Sequence, residues 1–117
     1  MATSYESFRE EIEEKGYRFT AILIKLSNAV LVFFYEGGDM KLGTLAVALP
    51  FGDGPCVSSI LLGERNMVIT KILAERFASA FKGITLVSTF LVEIGGSEVS
   101  STLLKLTKKL LDKVGLQ

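Results

Sequence analysis

The side chains of this 117-residue chain that are able to do chemistry are few and scattered. Cys56 is the only cysteine, and there is no histidine. The absence of histidine removes the commonest general base, the Ser-His-Asp and Cys-His arrangements, and the commonest metal ligand. With neither a histidine nor a second cysteine to lower its pKa, Cys56 reads as a half-buried structural thiol and not as a nucleophile. Gly52-Asp53-Gly54 looks like a fragment of a phosphate loop, but no third glycine and no Lys-Ser/Thr pair follows, and a strand comes next instead of a helix. Asp39 and Asp53 are isolated loop carboxylates, short of the roughly six to eight oxygens that calcium takes. Lys105, Lys108, Lys109 and Lys113 form a basic helical face without interleaved aromatics or arginines. Such a face is solvated and favours the C-terminal end of the helix dipole. No catalytic, cofactor-binding or metal-binding residue is assigned.

Composition narrows the class further. Thirteen basic and thirteen acidic residues give zero net charge, which argues against a nucleic-acid binder. Hydrophobic residues at 49% and charged residues at 22% describe a globular chain able to bury a core, and the length fits one domain over residues 1–117. One cysteine makes no intrachain disulfide, as expected of a reducing cytoplasm. No apolar leader opens the chain, and its apolar runs are interrupted before the roughly 18 residues of a bilayer span, so a soluble cytoplasmic protein without membrane contact is expected.

The elements that must position these residues follow from periodicity. Residues 1–15 form an acidic segment in which Phe8 and Ile12, four apart, favour one short helix face. Residues 17–26 read as a strand ending at the turn dipeptide Ser27-Asn28. Residues 29–36 are the strongest strand, because Val30, Leu31, Val32, Phe33, Phe34 and Tyr35 leave no polar face. Gly37-Gly38-Asp39 turns the chain into a strand over 41–50 that stops at Pro50. The loop 51–55, with two glycines and a proline, leads to a strand over 57–62 closed by Gly63. Asn66 is placed to cap a helix and Gly83 to follow its end. Its stripe is Ile69, Ile72, Leu73, Phe77, Ala80 and Phe81, with Lys71, Glu75 and Ser79 opposite. Residues 84–94 are a further strand, broken by Gly95-Gly96. An amphipathic helix over 97–115, capped by Ser97 or Ser100, carries Val99, Leu103, Leu106, Leu110 and Val114. Leu104 and Leu111 stand about 120–140° around from Val99, at about 100° per residue, and broaden the apolar arc. The order predicts an α+β fold, an antiparallel sheet with two helices on one face.

Several weak pieces in this order carry a resemblance. Lys41-Leu42-Gly43-Thr44-Leu45, the strand end Leu49-Pro50, Ile60-Leu61-Leu62-Gly63 and the helical segment 74–80 resemble the third type of small proteasome assembly chaperone, in an archaeal-like form. The likeness runs from about Gly16 to the C-terminus and contains no catalytic signature. It implies that residues 4–15 are an extended strand returning through Lys15-Gly16, against the helical spacing of Phe8 and Ile12. It also implies a non-enzymatic protein that forms sheet-to-sheet dimers and assists assembly of the proteasome α-subunit ring. The acidic N-terminal segment and the lysine-rich last helix depart from the eukaryotic pattern, so no partner-binding residue carries over.

The residues themselves point to self-association. Two helices cover one face of a sheet, whereas the strands at 29–35 and 84–92 are apolar on both faces, and an uncovered apolar face marks an interaction site. Leu31, Phe33 and Tyr35 on one sheet face, with Leu104 and Leu111 on the last helix, are the candidate self-association residues of a homodimer or higher homo-oligomer. The acidic segment and the basic helix face are candidates to meet between subunits. A small-molecule-binding or regulatory module, with a pocket between sheet and helices, is the alternative class. An oligomerisation domain without a client is a third.

Overall fold

The computed structural model describes residues 6–92 and 97–115. The strands are β1 (Glu6–Glu14), β2 (Tyr17–Lys25), β3 (Ala29–Glu36), β4 (Thr44–Phe51) and β5 (Gly54–Leu62), then α1 (Met67–Phe81), β6 (Ile84–Phe90) and α2 (Ser97–Val114). The fold is α+β, with one six-stranded sheet in the order β1-β2-β3-β6-β4-β5. Four of its five pairings are antiparallel. β3 and β6 run parallel, which the expectation of a wholly antiparallel sheet did not include. The reason is topological. The chain leaves β3, builds the β4–β5 hairpin and α1, and returns along β3 in the same direction, because a parallel neighbour needs a long crossover.

Residues 6–14 are a strand and not a helix. Phe8, Glu10, Ile12 and Glu14 alternate towards the helices, while β1 pairs with β2 from Glu6↔Lys25 to Glu14↔Tyr17. The hairpin closes through Lys15 and Gly16, both at positive φ, and pairing along all nine residues of β1 overrides the four-residue spacing of Phe8 and Ile12. β3 has its expected bounds, β2 ends one residue early, and β4 begins at Thr44 instead of Lys41. Gly43 precedes it because a Cβ there would collide with the Thr89 carbonyl. β5 reaches back to Gly54, so the Gly/Pro-rich loop shrinks to a turn at Gly52-Asp53. Gly63 closes β5 at φ +93°, where a Cβ would also lie 2.6 Å from the Thr44 Cα, so only glycine fits.

Both helices pack on the same face of the sheet. α1 lies over β4, β5 and β6, and α2 over β1 and β2. The core between the layers joins Phe19, Ala21 and Leu23 of β2, Val30, Val32 and Phe34 of β3, and Val87 of β6 to Leu73 and Phe77 of α1 and Leu103, Leu106 and Leu110 of α2. The Phe34 and Phe77 rings meet at 6.3 Å, tilted by 51°. A fully buried side chain of this kind stabilises the fold by about 1.5–3 kcal/mol.

Helix ends differ from expectation. Asn66 adopts the left-handed conformation (φ 58°) and makes no side-chain cap; its carbonyl instead accepts the Thr70 amide at 3.0 Å and the Thr70 hydroxyl at 2.6 Å. At the other end Lys82, not Gly83, takes the left-handed conformation, and its amide donates to the Ala78 carbonyl. Within α1, Ile72 is exposed and Thr70, Ala74 and Ala78 take buried places, so the stripe sits slightly rotated from that expected. Glu75 accepts the Ser58 hydroxyl of β5. α2 begins at Ser97, which puts Ser100 inside the helix. β6 ends at Phe90, short of the expected residue 94, and residues 91 and 92 are no longer strand; residues 93–94 and Gly95-Gly96 lie outside the described residues, as do residues 1–5 of the acidic segment.

Candidate interaction surface

Because side chains alternate along each strand, the residues not under the helices form a second face, and the register shows how they line up. One row runs Ile24, Leu31, Leu86, Val47 and Ser59 across β2, β3, β6, β4 and β5. The next runs Ile22, Phe33, Ser88 and Leu45, and a third joins Thr20, Tyr35 and Phe90. Leu49, Phe51, Val57 and Leu61 extend the apolar area towards β5, all well exposed. No described helix packs on this face, so Leu31 and Phe33 are only half-covered by their neighbours within the sheet, while Tyr35 is buried. Ser88 interrupts the apolar rows, but its hydroxyl accepts the Gly43 amide at 2.9 Å, so its polar atom is satisfied within the chain. The Thr20 hydroxyl is buried without a partner.

The border of this face is charged. On β1, Arg9 reaches Glu11 at 2.9 Å. Their hydrogen bond is the main cause that raises the Arg9 guanidinium above its ordinary pKa, with the Tyr35 hydroxyl adding to it. Towards the ends of β4 and β6, the Lys41 ammonium lies 5.3 Å from the centre of the Phe90 ring. An apolar centre with a polar rim is the anatomy of a protein–protein contact.

The structure therefore brings Leu31, Phe33 and Tyr35 onto one face and sends Val30, Val32 and Phe34 under the helices, a choice that alternation alone leaves open. It does not bring Leu104 and Leu111 together. Leu104 is 44% exposed, whereas Leu111 is 1% exposed and belongs to the core under α2. The expected side stripe fails because α2 is seated deeply enough on β1 and β2 for residue 111 to be covered from below. Ile22, Ile24, Leu45, Val47, Leu86 and Phe90 belong to the open face and were not singled out from sequence. The signal was present in strands apolar at both odd and even positions.

The acidic segment and the basic helix face meet within one chain. Lys105 reaches Glu14 at 2.7 Å, Lys113 reaches Glu10 at 3.1 Å, and Lys109 lies 3.9 Å from Glu10. Lys113 also donates to the Arg9 carbonyl at 2.8 Å. These bonds fasten α2 along β1, which removes the reason to look for that pairing between subunits. The Lys105 hydrogen bond is the main cause that holds the Glu14 carboxyl below its ordinary value of 4.5. A carboxyl depressed in the folded state adds stability above its unfolded pKa and loses it as pH falls through the lower folded value. The melting-temperature difference between wild type and Glu14→Gln is thus expected to be constant at neutral pH and to shrink below about pH 4.5. A pH series of thermal melts checks this.

Cys56 is half-buried, packed against the core from β5, and free. Cys56→Ser is expected to change stability by less than about 1 kcal/mol, read from denaturant melts. Among the described residues there is no cluster of three or more His, Cys, Asp or Glu able to hold a metal ion, and no helix is long and apolar enough to cross a membrane. Two clefts open to solvent flank the start of α1. One, of about 430 Å³, is lined by Gly43, Thr44, Arg65 and residues 89–92; the other, of about 480 Å³, lies between the helices at Val68, Ile72 and Leu104.

No family model matches the chain, and a search of curated proteins finds no match. Among solved structures it is similar to a chaperone complex for yeast 20S proteasome assembly, with a TM-score of 0.73 and 14% identity over 97% of each chain. At that identity the likeness is one of fold alone.

Proposed function

We propose that this protein is a non-enzymatic chaperone that associates with itself through the open sheet face and binds proteasome α subunits during assembly of the α ring. The observation that carries the reading is that face, apolar across five strands and bordered by Arg9, Glu11 and Lys41. The fold likeness supplies the class of client, and the resemblance over 41–83 agrees with it. Protein contacts of ordinary size take about 800 Å² from each partner, a modest share of a surface of 6742 Å². That leaves room for one face to hold the partner copy and another to hold the client.

The test is to mix the purified protein with free α subunits and, separately, with finished core particle, and to run native gels. A complex with free subunits and none with the finished particle supports the reading. Equal affinity for the finished particle, or no complex with either, overturns it.

A further inference from the structure

The outer side of the helix layer carries apolar residues that the fold does not use. Val68 is 73% exposed, Ile72 48% and Leu104 44%, and all three line the cleft of about 480 Å³ between α1 and α2. Surface helices turn such side chains inward, so three of them around one cleft mark a binding surface. Ser100 of α2 shares the cleft with Asn66 and Met67, so the two helices start at the same end, beside Glu64. Arg76 lies one turn beyond Ile72 and Lys108 one turn beyond Leu104, both exposed at the far end. Among the described residues neither has an ion-pair partner, whereas Lys105, Lys109 and Lys113 are engaged with β1.

Taking the α subunit as the client, as proposed above, we infer that it docks in this cleft through an amphipathic helix, with an apolar stripe against Val68, Ile72 and Leu104 and carboxylates against Arg76 and Lys108. The walls select a helix. Their backbone groups bond within α1 and α2, so an occupant gains no strand ladder and must arrive with its own backbone bonds made. The charges select an acidic one. Two unpaired cations at one end of an apolar cleft are complementary to carboxylates and repel bases. Glu64 at the other end makes the pattern directional, so the acidic part of the helix lies towards Arg76 and Lys108. With the open sheet face holding the second copy, the cleft lies on the opposite layer and stays accessible to the client.

Titrating labelled free α subunit with the intact protein, read by fluorescence anisotropy, measures this contact, and light scattering measures the mass of the protein alone. Val68→Asp and Leu104→Asp alter exposed side chains and keep the fold. Each is expected to weaken α-subunit binding by at least about tenfold and to leave the mass unchanged. Arg76→Glu combined with Lys108→Glu is expected to weaken binding by about tenfold at low salt, a loss that shrinks as salt screens the charges. Variants that all bind as the wild type does overturn the docking site and leave the client reading standing. A fall in mass for Val68→Asp or Leu104→Asp also overturns it, because the cleft is then a contact between copies. Wild type that binds no α subunit overturns the client reading, and the docking site with it.

Discussion

Phe33→Asp is expected to abolish association through the open sheet face while leaving the fold intact. Phe33 sits in the middle of that face, with Ile22 on one side and Ser88 on the other, and no described helix touches it. Burying one such side chain is worth about 1.5–3 kcal/mol, and a two-fold contact uses it twice. The loss is then about 3–6 kcal/mol, or about 10²–10⁴-fold in the dissociation constant, before any cost of desolvating the new carboxylate. Light scattering at matched concentrations reads the mass, and circular dichroism reads the fold. The neighbour Phe34, buried under the helices and in contact with Phe77, separates the two faces. Phe34→Asp is expected to unfold the chain and so serves as the opposite control.

Leu111→Asp is expected to collapse stability, and Leu104→Asp to leave it almost unchanged. The two leucines differ by seven residues and lie on one broad arc, yet their exposures are 1% and 44%. Removing the buried Leu111 side chain costs about 2–5 kcal/mol, and a carboxylate left in its place has no partner in the core. For a chain of this size that corresponds to a fall in melting temperature of more than about 15 °C, or to a protein that does not fold. Leu104→Asp on the exposed side is expected to stay within about 0.5 kcal/mol. Thermal melts of the two variants side by side decide it. Similar losses for both would mean that α2 is seated differently from the packing described.

The layers of this fold were legible because the sequence repeats its signals. The run 30–35 has no polar face, and turn chemistry at Gly37-Gly38 and Gly52-Asp53 fixes where strands end. Local signals misled where tertiary pairing dominates. Phe8 and Ile12 have helical spacing, but β1 gains a full ladder with β2, and its glutamates find lysines on α2 that are distant in sequence. The parallel β3–β6 pairing was not legible either, since it depends on where a crossover returns and not on the residues of either strand. Of the candidate contact residues, Leu31, Phe33 and Tyr35 share the open face because alternation is rigid along a strand. Leu111 was misjudged because helical periodicity gives an angle around the axis but not the depth to which a helix sinks into its neighbours. Asn66 and Gly83 were plausible caps by residue type, yet the backbone closes α1 with left-handed Asn66 and Lys82 instead.

The uncovered sheet face is proposed as the contact surface between copies of this chain. The most direct test is the mass of the wild-type protein in solution at tens of micromolar, by light scattering coupled to size exclusion. A species of at least twice the 12.7 kDa of one chain is expected. A monomer under those conditions would contradict it.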